Sequence, residues 1–328
     1  MTAAMLAAQL GVSRSAVSRA FTPGTRLAAA KRATILAAAR EHGYQPNVFA
    51  SALSTPNSRS RSHLVAILMG DFASPFQSWL FAELTRVLQR HGKLPVLLNV
   101  EATEDLDQAV LRLGSYQVDG VLAVVGSLPE SCLSQCVSLA LPLVLLGRSD
   151  PAGRVPSVQT DNRQAGRLAA QHLLAQGAQR LGFLAGRADG EASRARGAGF
   201  AELVCQAGLP PPCLLSAGGY SHAAGLAMGQ QHAQTLARLD GLFCASDALA
   251  MGVMDGCRQG LAGQGLPIVG CDDVPQSAWP AYRLTTVAQP VAQLAEAAVR
   301  RLLQQIDGSA DGGEAAVTRL PPSLVCRD

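Results

Sequence analysis

Two patterns of hydrophobic and polar positions divide this chain. Up to about residue 43 the apolar residues recur at helical spacing, interrupted at 10–13 and again at 22–24, which predicts three short helices. From His63 onward, short continuous apolar runs alternate with stretches of helical periodicity. Continuous apolar strands joined by helical crossovers are typical of parallel sheets that are covered on both faces.

The second pattern predicts a series of strands and helices. The predicted strands are Leu64 to Met69, Pro95 to Val100, Gly120 to Val125, Leu143 to Leu146, Val158 to Asp161, Leu181 to Ala185, Gly241 to Ala245, Leu266 to Gly270 and Val317 to Leu320. The predicted helices are Gln77 to His91, Asn162 to Gln176, Ser193 to Ala207, Asp247 to Gln259 and Val291 to Ile306. About 265 residues of this pattern are too many for one sheet, so we expect two doubly wound α/β lobes with a ligand cleft between them.

A polar, basic and proline-broken stretch separates the two patterns and is typical of a linker. We therefore predict an all-α domain over 1–46, a hinge and linker over 47–62, and a bilobed domain over 63–328. The predicted lobes are, for the first, 63–159 with 289–316 and, for the second, 160–288 with 317–328.

The composition is that of a folded protein. Hydrophobic residues make up 48% and charged residues 16% of the 328 residues, which excludes a mainly disordered chain. No uninterrupted apolar run approaches the roughly 18 residues of a membrane helix, and the N-terminus lacks the basic start of a secretory signal. We therefore expect a soluble, cytoplasmic protein with no membrane partner.

The sequence carries no motif for a metal, a cofactor or an enzyme activity. The eight cysteines include no Cys-x-x-Cys pair and are expected to be reduced thiols rather than metal ligands. There is no Gly-x-Gly-x-x-Gly segment after a strand, no Walker loop and no Gly-x-Ser-x-Gly elbow. We expect a protein that binds its partners without transforming them.

Charge is distributed unevenly along the chain. Residues 1–62 carry eight Lys or Arg and one acidic residue, a net charge of +7, whereas the rest of the chain has a net charge of −4. A small basic module on an acidic body fits a module that binds a phosphate backbone. A basic face that is merely solvated would give the same count.

Residues 6–21, LAAQLGVSRSAVSRAF, have the pattern of a helix-turn-helix. Gly11 tolerates a left-handed turn, and Ser13 can cap the second helix. An ordinary helical hairpin would share this turn. The arginines that point outward and the local positive charge instead favour a second helix that contacts bases in a major groove of DNA. The outward-pointing polar residues of the second helix are Arg14, Ser15, Ser18 and Arg19.

The sequence resembles the lactose-repressor (LacI/GalR) family of bacterial transcriptional regulators. The resemblance runs through GVSRSAVSRAF at 11–21 and ILAAAREHGYQPN at 35–47, and it continues over almost the whole chain. Further matching segments are DFASPF, VDGVLAV, TDNRQAG, RGAGF, CASDALAMGV, VGCDDVP and LTTVAQP. Their order and spacing strengthen the resemblance, which implies a helix-turn-helix headpiece, a hinge and two lobes of the periplasmic-binding-protein type.

The resemblance implies a sequence-specific regulator, a repressor, that binds a near-palindromic double-stranded DNA operator as a homodimer or a tetramer. The residues that match the family's base readers are the four outward-pointing residues of the second helix. Asn47 to Leu53 match a hinge that becomes helical on DNA, and Leu53 matches an apolar wedge that unstacks a base step in the minor groove. The family often has a basic residue at the position of Ser51, and this hinge lacks it, so we expect the hinge to bind DNA less tightly.

The resemblance also implies a small-molecule effector, a sugar or a sugar acid, bound between the lobes. Aromatic faces suit a sugar ring, and charged groups form strong hydrogen bonds to hydroxyls or carboxylates. We expect Asp161 and Asp247 to cap helices and Trp79 to belong to the core. The candidate effector-binding residues are Phe76, Arg196, Tyr220, Ser246, Asp272 and Gln289.

A sugar-binding protein of the transport type would share the bilobed domain. This alternative is disfavoured because we expect no signal peptide and because the chain carries a basic headpiece. The sequence leaves open the identity of the effector, the operator sequence, and whether the effector releases the protein from DNA or promotes binding.

Overall fold

The computed structural model describes residues 1–22, 24–45, 62–100, 113, 116–124, 130–188, 190–260, 265–309 and 317–327. The chain divides into two compact units, Met1–Ser62 and His63–Asp328. No helix in the described part of the chain is long and apolar enough to cross a membrane.

In its described residues the first unit contains three helices, α1 (Ala3–Gln9), α2 (Arg14–Phe21) and α3 (Ala29–Glu41). One side chain from each helix, Leu6, Val17 and Ile35, forms the centre of its buried core. The turn between α1 and α2 passes through Gly11 at φ 61°, which a residue with a side chain adopts only at a cost. The predicted helix-turn-helix is therefore confirmed as a local structure.

The first lobe of the second unit is built on a parallel sheet. Its strands are β1 (Leu64–Met69), β2 (Leu94–Asn99), β3 (Gly120–Ala123), β4 (Leu143–Leu146), β5 (Ser157–Thr160) and β11 (Val317–Leu320), in the order β11-β5-β4-β3-β1-β2. One face packs against α4 (Pro75–Arg90) and α11 (Val291–Asp307), and the other packs against α5 (Glu130–Ser138).

The second lobe has a sheet of the order β12-β10-β9-β8-β6-β7, in which only β12 runs antiparallel to its neighbour. The strands are β6 (Leu181–Ala185), β7 (Cys213–Ser216), β8 (Gly241–Cys244), β9 (Ile268–Asp272), β10 (Thr285–Ala288) and β12 (Ser323–Val325). The accompanying helices are α6 (Asn162–Ala175), α7 (Glu191–Gln206), α8 (His222–Gln231), α9 (Ala233–Leu236) and α10 (Asp247–Gly260), with a 3-10 turn at Pro275–Ala278. The predicted fold class, an all-α headpiece followed by two doubly wound lobes, is confirmed.

The placement of the C-terminal segment differs from the prediction. Residues 317–328 were expected in the second lobe, but Val317–Leu320 pairs in parallel with β5 at the edge of the first sheet. The chain then crosses, and only Ser323–Val325 joins the second sheet beside β10. The pairing partners of so short an edge strand lie far away in the sequence, so its apolar pattern alone does not select a sheet.

Glycines bring α6 and α7 into backbone contact. A Cβ added at Gly166 of α6 would overlap the carbonyl oxygen of Arg196 on α7, and one added at Gly199 would overlap the carbonyl oxygen of Arg163. Both obstacles are backbone atoms, which cannot move aside as a flexible side chain would. The close approach fixes α7 at the turn that carries Arg196.

We predict that Gly166→Ala lowers the free energy of unfolding by about 1–3 kcal/mol, because the added methyl group forces the two helices apart. Urea unfolding of the full chain measures the change. Gly219→Ala is the matched control, since a Cβ there meets no atom within 4 Å. Equal stability of the two variants would mean that the helices do not depend on this contact.

Candidate functional site

Helix α2 presents the four predicted DNA-reading residues on one exposed face. Arg14, Ser15, Ser18 and Arg19 are exposed, whereas the opposite face is buried against the rest of the unit. The hydroxyl of Ser13 accepts a hydrogen bond from the amide of Ala16 at 3.2 Å, which confirms the predicted cap. The structure therefore presents two arginines and two serines together on one exposed face of α2. The two remaining candidates, Asn47 and Leu53, lie outside the described residues.

A cleft between the two lobes of the second unit encloses a cavity of about 140 Å³. Most of the apolar side chains that line it, such as Leu80, Val124 and Leu146, come from the first lobe, and most of the charged ones come from the second. Residues from several distant segments therefore share one small space. Among the residues that line it are all six predicted effector-binding residues, Phe76, Arg196, Tyr220, Ser246, Asp272 and Gln289.

Asp272, at the end of β9, lies on the floor of this cleft. Its side chain is only 5% exposed, and its Oδ1 atom lies 3.9 Å from Nη1 of Arg196. The backbone of Asp272 has φ 137°, a left-handed conformation that costs an ordinary residue on the order of 1–3 kcal/mol. Strain of this kind persists only where the surroundings impose it, and it marks Asp272 as a residue held for its position.

Arg196 lines the cleft and is held in place by the protein on two sides. Its Nε donates to Oδ1 of Asn162 at 2.9 Å, and Nη1 donates to the carbonyl oxygen of Ala245. Because the guanidinium group is buried and tied to both neighbours, it neutralises part of the charge of Asp272 from a fixed position.

Gln289 joins the floor of the cleft to the crossing between the lobes. Its Nε2 donates to Oδ1 of Asp272 at 2.7 Å, and its Oε1 accepts from the hydroxyl of Thr160 at 2.7 Å. Thr160 ends β5 in the first lobe, and Asp272 ends β9 in the second. One buried amide thus links the carboxylate of Asp272 in the second lobe to Thr160 in the first.

Ser246, not Asp247, caps the helix that begins at Asp247, and it also lines the cleft. The hydroxyl oxygen of Ser246 accepts from the amide of Leu249 at 3.3 Å and so caps α10. The carboxylate of Asp247 accepts from the amide of Val274 at 2.9 Å and from the hydroxyl of Thr286. The expectation that Asp247 caps a helix is therefore wrong, whereas Asp161 does cap α6 through the amide of Gln164.

Two buried carboxylates determine the electrostatics of the cleft floor. Burial raises the pKa of Asp272 to about 6, against the opposing effects of Arg196 and Gln289. Burial and then the charge of Asp272 raise the pKa of Asp247 to about 8. Gly270 makes room for this carboxylate, because a Cβ there would overlap Oδ1 of Asp247.

The aromatic candidates are half-buried at the cleft walls. Tyr220 lies against the backbone at Gly186, where a Cβ would overlap its ring. Phe76, in the first turn of α4, packs against the cores of both lobes, as does Trp79. Trp79 does not line the cavity, consistent with its expected place in the core.

A contact across the mouth of the cleft was not foreseen from the sequence. Glu191, the first residue of α7, accepts from the hydroxyl of Ser149 at 2.8 Å and from the amide of Ser149 at 3.1 Å. Ser149 follows β4 in the first lobe, so this pair bridges the lobes. Neither residue belongs to a recognisable local motif, and only the fold brings them together.

In the described residues no group of three or more His, Cys, Asp or Glu side chains is arranged to hold a metal ion. The buried thiols of Cys244 and Cys271 have pKa values raised by burial, so they behave as small apolar residues.

Comparison with known proteins identifies similar chains over nearly the full length. The family of periplasmic binding protein-like domains matches residues 170–328. The HTH-type transcriptional repressor CytR of Escherichia coli K12 is 27% identical over 301 residues, which cover 90% of this chain and 87% of CytR. The lac repressor dimer bound to operator and the anti-inducer ONPF is 25% identical, with a TM-score of 0.87 over 100% of this chain and 98% of that one. A complex of the transcriptional regulator CelR with cellobiose has a TM-score of 0.75 at 25% identity and covers 100% and 99% of the two chains.

The raised pKa of Asp272 predicts that ligand binding in the cleft weakens in acid. Only the ionised carboxylate accepts hydrogen bonds with both oxygens, and with a pKa of about 6 its ionised fraction falls about tenfold between pH 7 and pH 5. The dissociation constant of a ligand found by thermal-shift screening should rise about tenfold over this range. The affinity of the Asp272→Asn variant for the same ligand should be weak and nearly independent of pH. A wild-type affinity that stays constant from pH 7 to pH 5 would contradict this role.

Proposed function

This chain belongs to the lactose-repressor family of bacterial transcriptional regulators, and we infer that it is a sequence-specific DNA-binding repressor whose operator affinity is switched by a small polar ligand. The observation that carries this conclusion is the combination of two sites in one chain. A basic unit presents arginines on an exposed helix, and a separate unit encloses a cleft whose floor is a buried carboxylate.

We propose that α2 reads operator bases through the four exposed residues, while Asn47 and Leu53 contact DNA through the hinge. A homodimer would present two α2 helices to the two halves of a near-palindromic site. The similar lac repressor dimer is bound to its operator, which supports this arrangement.

We propose that the effector is a neutral polyhydroxylated molecule of the sugar class. The charged residues lining the cleft are Asp71, Glu191 and Asp272 against Arg187 and Arg196, so carboxylates outnumber guanidinium groups. Arg196 also lines the cleft, with two of its donors bonded to Asn162 and Ala245, and Asp272 is the buried acceptor for ligand hydroxyls. A sugar acid, the other class considered from the sequence, would bring a further negative charge into this site.

In this proposal Phe76 and Tyr220 offer their rings to the faces of the sugar, and the hydroxyl of Ser246 offers its hydrogen. Gln289 and Arg196 orient Asp272 and, because both line the cleft, also contact the ligand. The first lobe, with its apolar wall, excludes water from the bound molecule.

A transport-type binding protein is the less favoured function. The HTH-type transcriptional regulator CelR of Thermobifida fusca aligns over 94% of this chain, which is more than the bilobed domain alone spans. We further propose that the protein acts in the cytoplasm, where its DNA partner lies, and that it catalyses no reaction.

Two measurements test the proposed function. Selection from a pool of random duplexes yields the sequence that the chain prefers, and a thermal-shift screen of neutral sugars, sugar acids and nucleosides yields the effector. The affinity for the selected duplex should then change when the effector is added. Failure to enrich any sequence, or an affinity that no stabilising ligand changes, would refute the proposal.

We predict that Arg19→Ala reduces the preference for the selected duplex over a random duplex by about 1–3 kcal/mol, the usual contribution of a base-reading arginine. Ligand binding should be unchanged. Arg40→Ala is the control, because Arg40 is also exposed and, like Arg19, donates to a carbonyl oxygen one turn earlier in its own helix, but it lies on α3. If both variants discriminate as the wild type does, Arg19 is not a reader.

Leu53→Ala should keep salt-sensitive DNA binding but lose much of the DNA bend, since phosphate contacts remain when an apolar wedge is removed. Gel-based bend analysis at saturating protein measures this. An unchanged bend angle would show that Leu53 does not enter the minor groove.

A further inference from the structure

Arg32, in the first turn of α3, bonds to the end of the recognition helix instead of to solvent. Its Nη1 donates to the carbonyl oxygens of Ala20 and Thr22, both at 3.2 Å. Its Nη2 donates to the carbonyl oxygen and the hydroxyl of Thr25, both at 3.0 Å. One guanidinium group therefore connects the last turn of α2, the residue that follows it, and the approach to α3.

The end of α2 needs such a partner. The last carbonyl groups of a helix find no N–H donor within the helix, so other donors must satisfy them. The residue after α2, Thr22, has an extended backbone (φ −96°, ψ 117°), so the left-handed glycine cap that closes many helices is not used here. A planar cation with five donors at a helix C-terminus supplies both the hydrogen bonds and a favourable interaction with the helix dipole.

The same cluster reaches the proposed base readers. The hydroxyl of Thr25 lies within hydrogen-bonding distance of the carbonyl oxygens of Arg19 at 2.6 Å and Thr22 at 2.8 Å. The hydroxyl of Thr22 donates to the carbonyl oxygen of Ser18 at 3.1 Å. The backbone of Ser18 and Arg19 is thus anchored, through two threonines, to Arg32.

We propose that Arg32 is a positioning residue for operator reading, which holds the C-terminal turn of α2 so that Ser18 and Arg19 meet bases in one fixed geometry. Although Arg32 contributes to the positive charge of the headpiece, its donors are directed to the protein rather than to phosphates. This inference rests on the proposed reading role of α2.

The test compares Arg32→Met, Arg32→Lys and the control Arg40→Met in the full chain. Each is titrated, over a range of salt concentrations, against the duplex selected by the wild type and against a random duplex of equal length. Arg32→Met should lose about tenfold in discrimination between the two duplexes, with an unchanged salt dependence on the random duplex. Arg32→Lys should recover part of the discrimination, because one ammonium group can satisfy only some of these acceptors. Arg40→Met should retain the wild-type discrimination.

Amide hydrogen exchange of the same proteins separates positioning from folding. In Arg32→Met, exchange should accelerate over 18–25 while α1 and the rest of α3 remain protected. Loss of protection throughout the headpiece would overturn the proposal in favour of general stability. Equal losses on both duplexes with a shallower salt dependence would overturn it in favour of a phosphate contact. Unchanged discrimination in Arg32→Met would overturn the proposal outright. If Arg19→Ala also left discrimination unchanged, the result would refute the proposed reading role of α2 itself.

Discussion

The buried carboxylate of Asp272 is the constraint on which the second unit depends. A charge so deeply enclosed is costly unless it is paired and hydrogen-bonded. The surrounding residues meet this requirement from three directions: Arg196 supplies a positive charge, Gln289 supplies an amide hydrogen, and the strained backbone of Asp272 turns the side chain toward the cleft. The remaining hydrogen-bonding capacity of the carboxylate is what a polyhydroxylated ligand would use.

The partners of Asp272 are themselves fixed by the fold. Arg196 is in place because Gly166 lets α6 and α7 touch, and because Asn162 and Ala245 accept its hydrogens. Gln289 is in place because Thr160, at the end of a strand of the other lobe, binds its carbonyl oxygen. The site therefore cannot be separated from the crossing between the lobes, and a ligand that draws on Asp272 acts on a network shared by both sheets.

Sequence patterns predicted what depends on local order. The turn at Gly11, the cap at Ser13 and the exposed face of α2 follow from residues within one or two helical turns, and the long helices follow from their periodicity. The cleft residues were predicted because their segments resemble a known family, not because any one of them is distinctive. The half-buried edge strand β7, the return of 317–320 to the first sheet and the pair Ser149–Glu191 depend on distant partners. Ser246 and Asp247 show the same limit, since which of two adjacent polar residues caps a helix depends on what the fold places beside each.

A double-mutant cycle tests most directly whether the cleft floor is linked to the crossing between the lobes. It compares the ligand affinities of Thr160→Val, Asp272→Asn and the double variant. Thr160→Val removes the hydroxyl that anchors Gln289, and Asp272→Asn removes the charge that Gln289 orients. The side-chain amide of Gln289 connects Thr160 with Asp272. If the network operates as one unit, the effects on ligand binding are not additive and the coupling exceeds about 0.5 kcal/mol. Additive effects would show that Asp272 binds its ligand without reference to the first lobe.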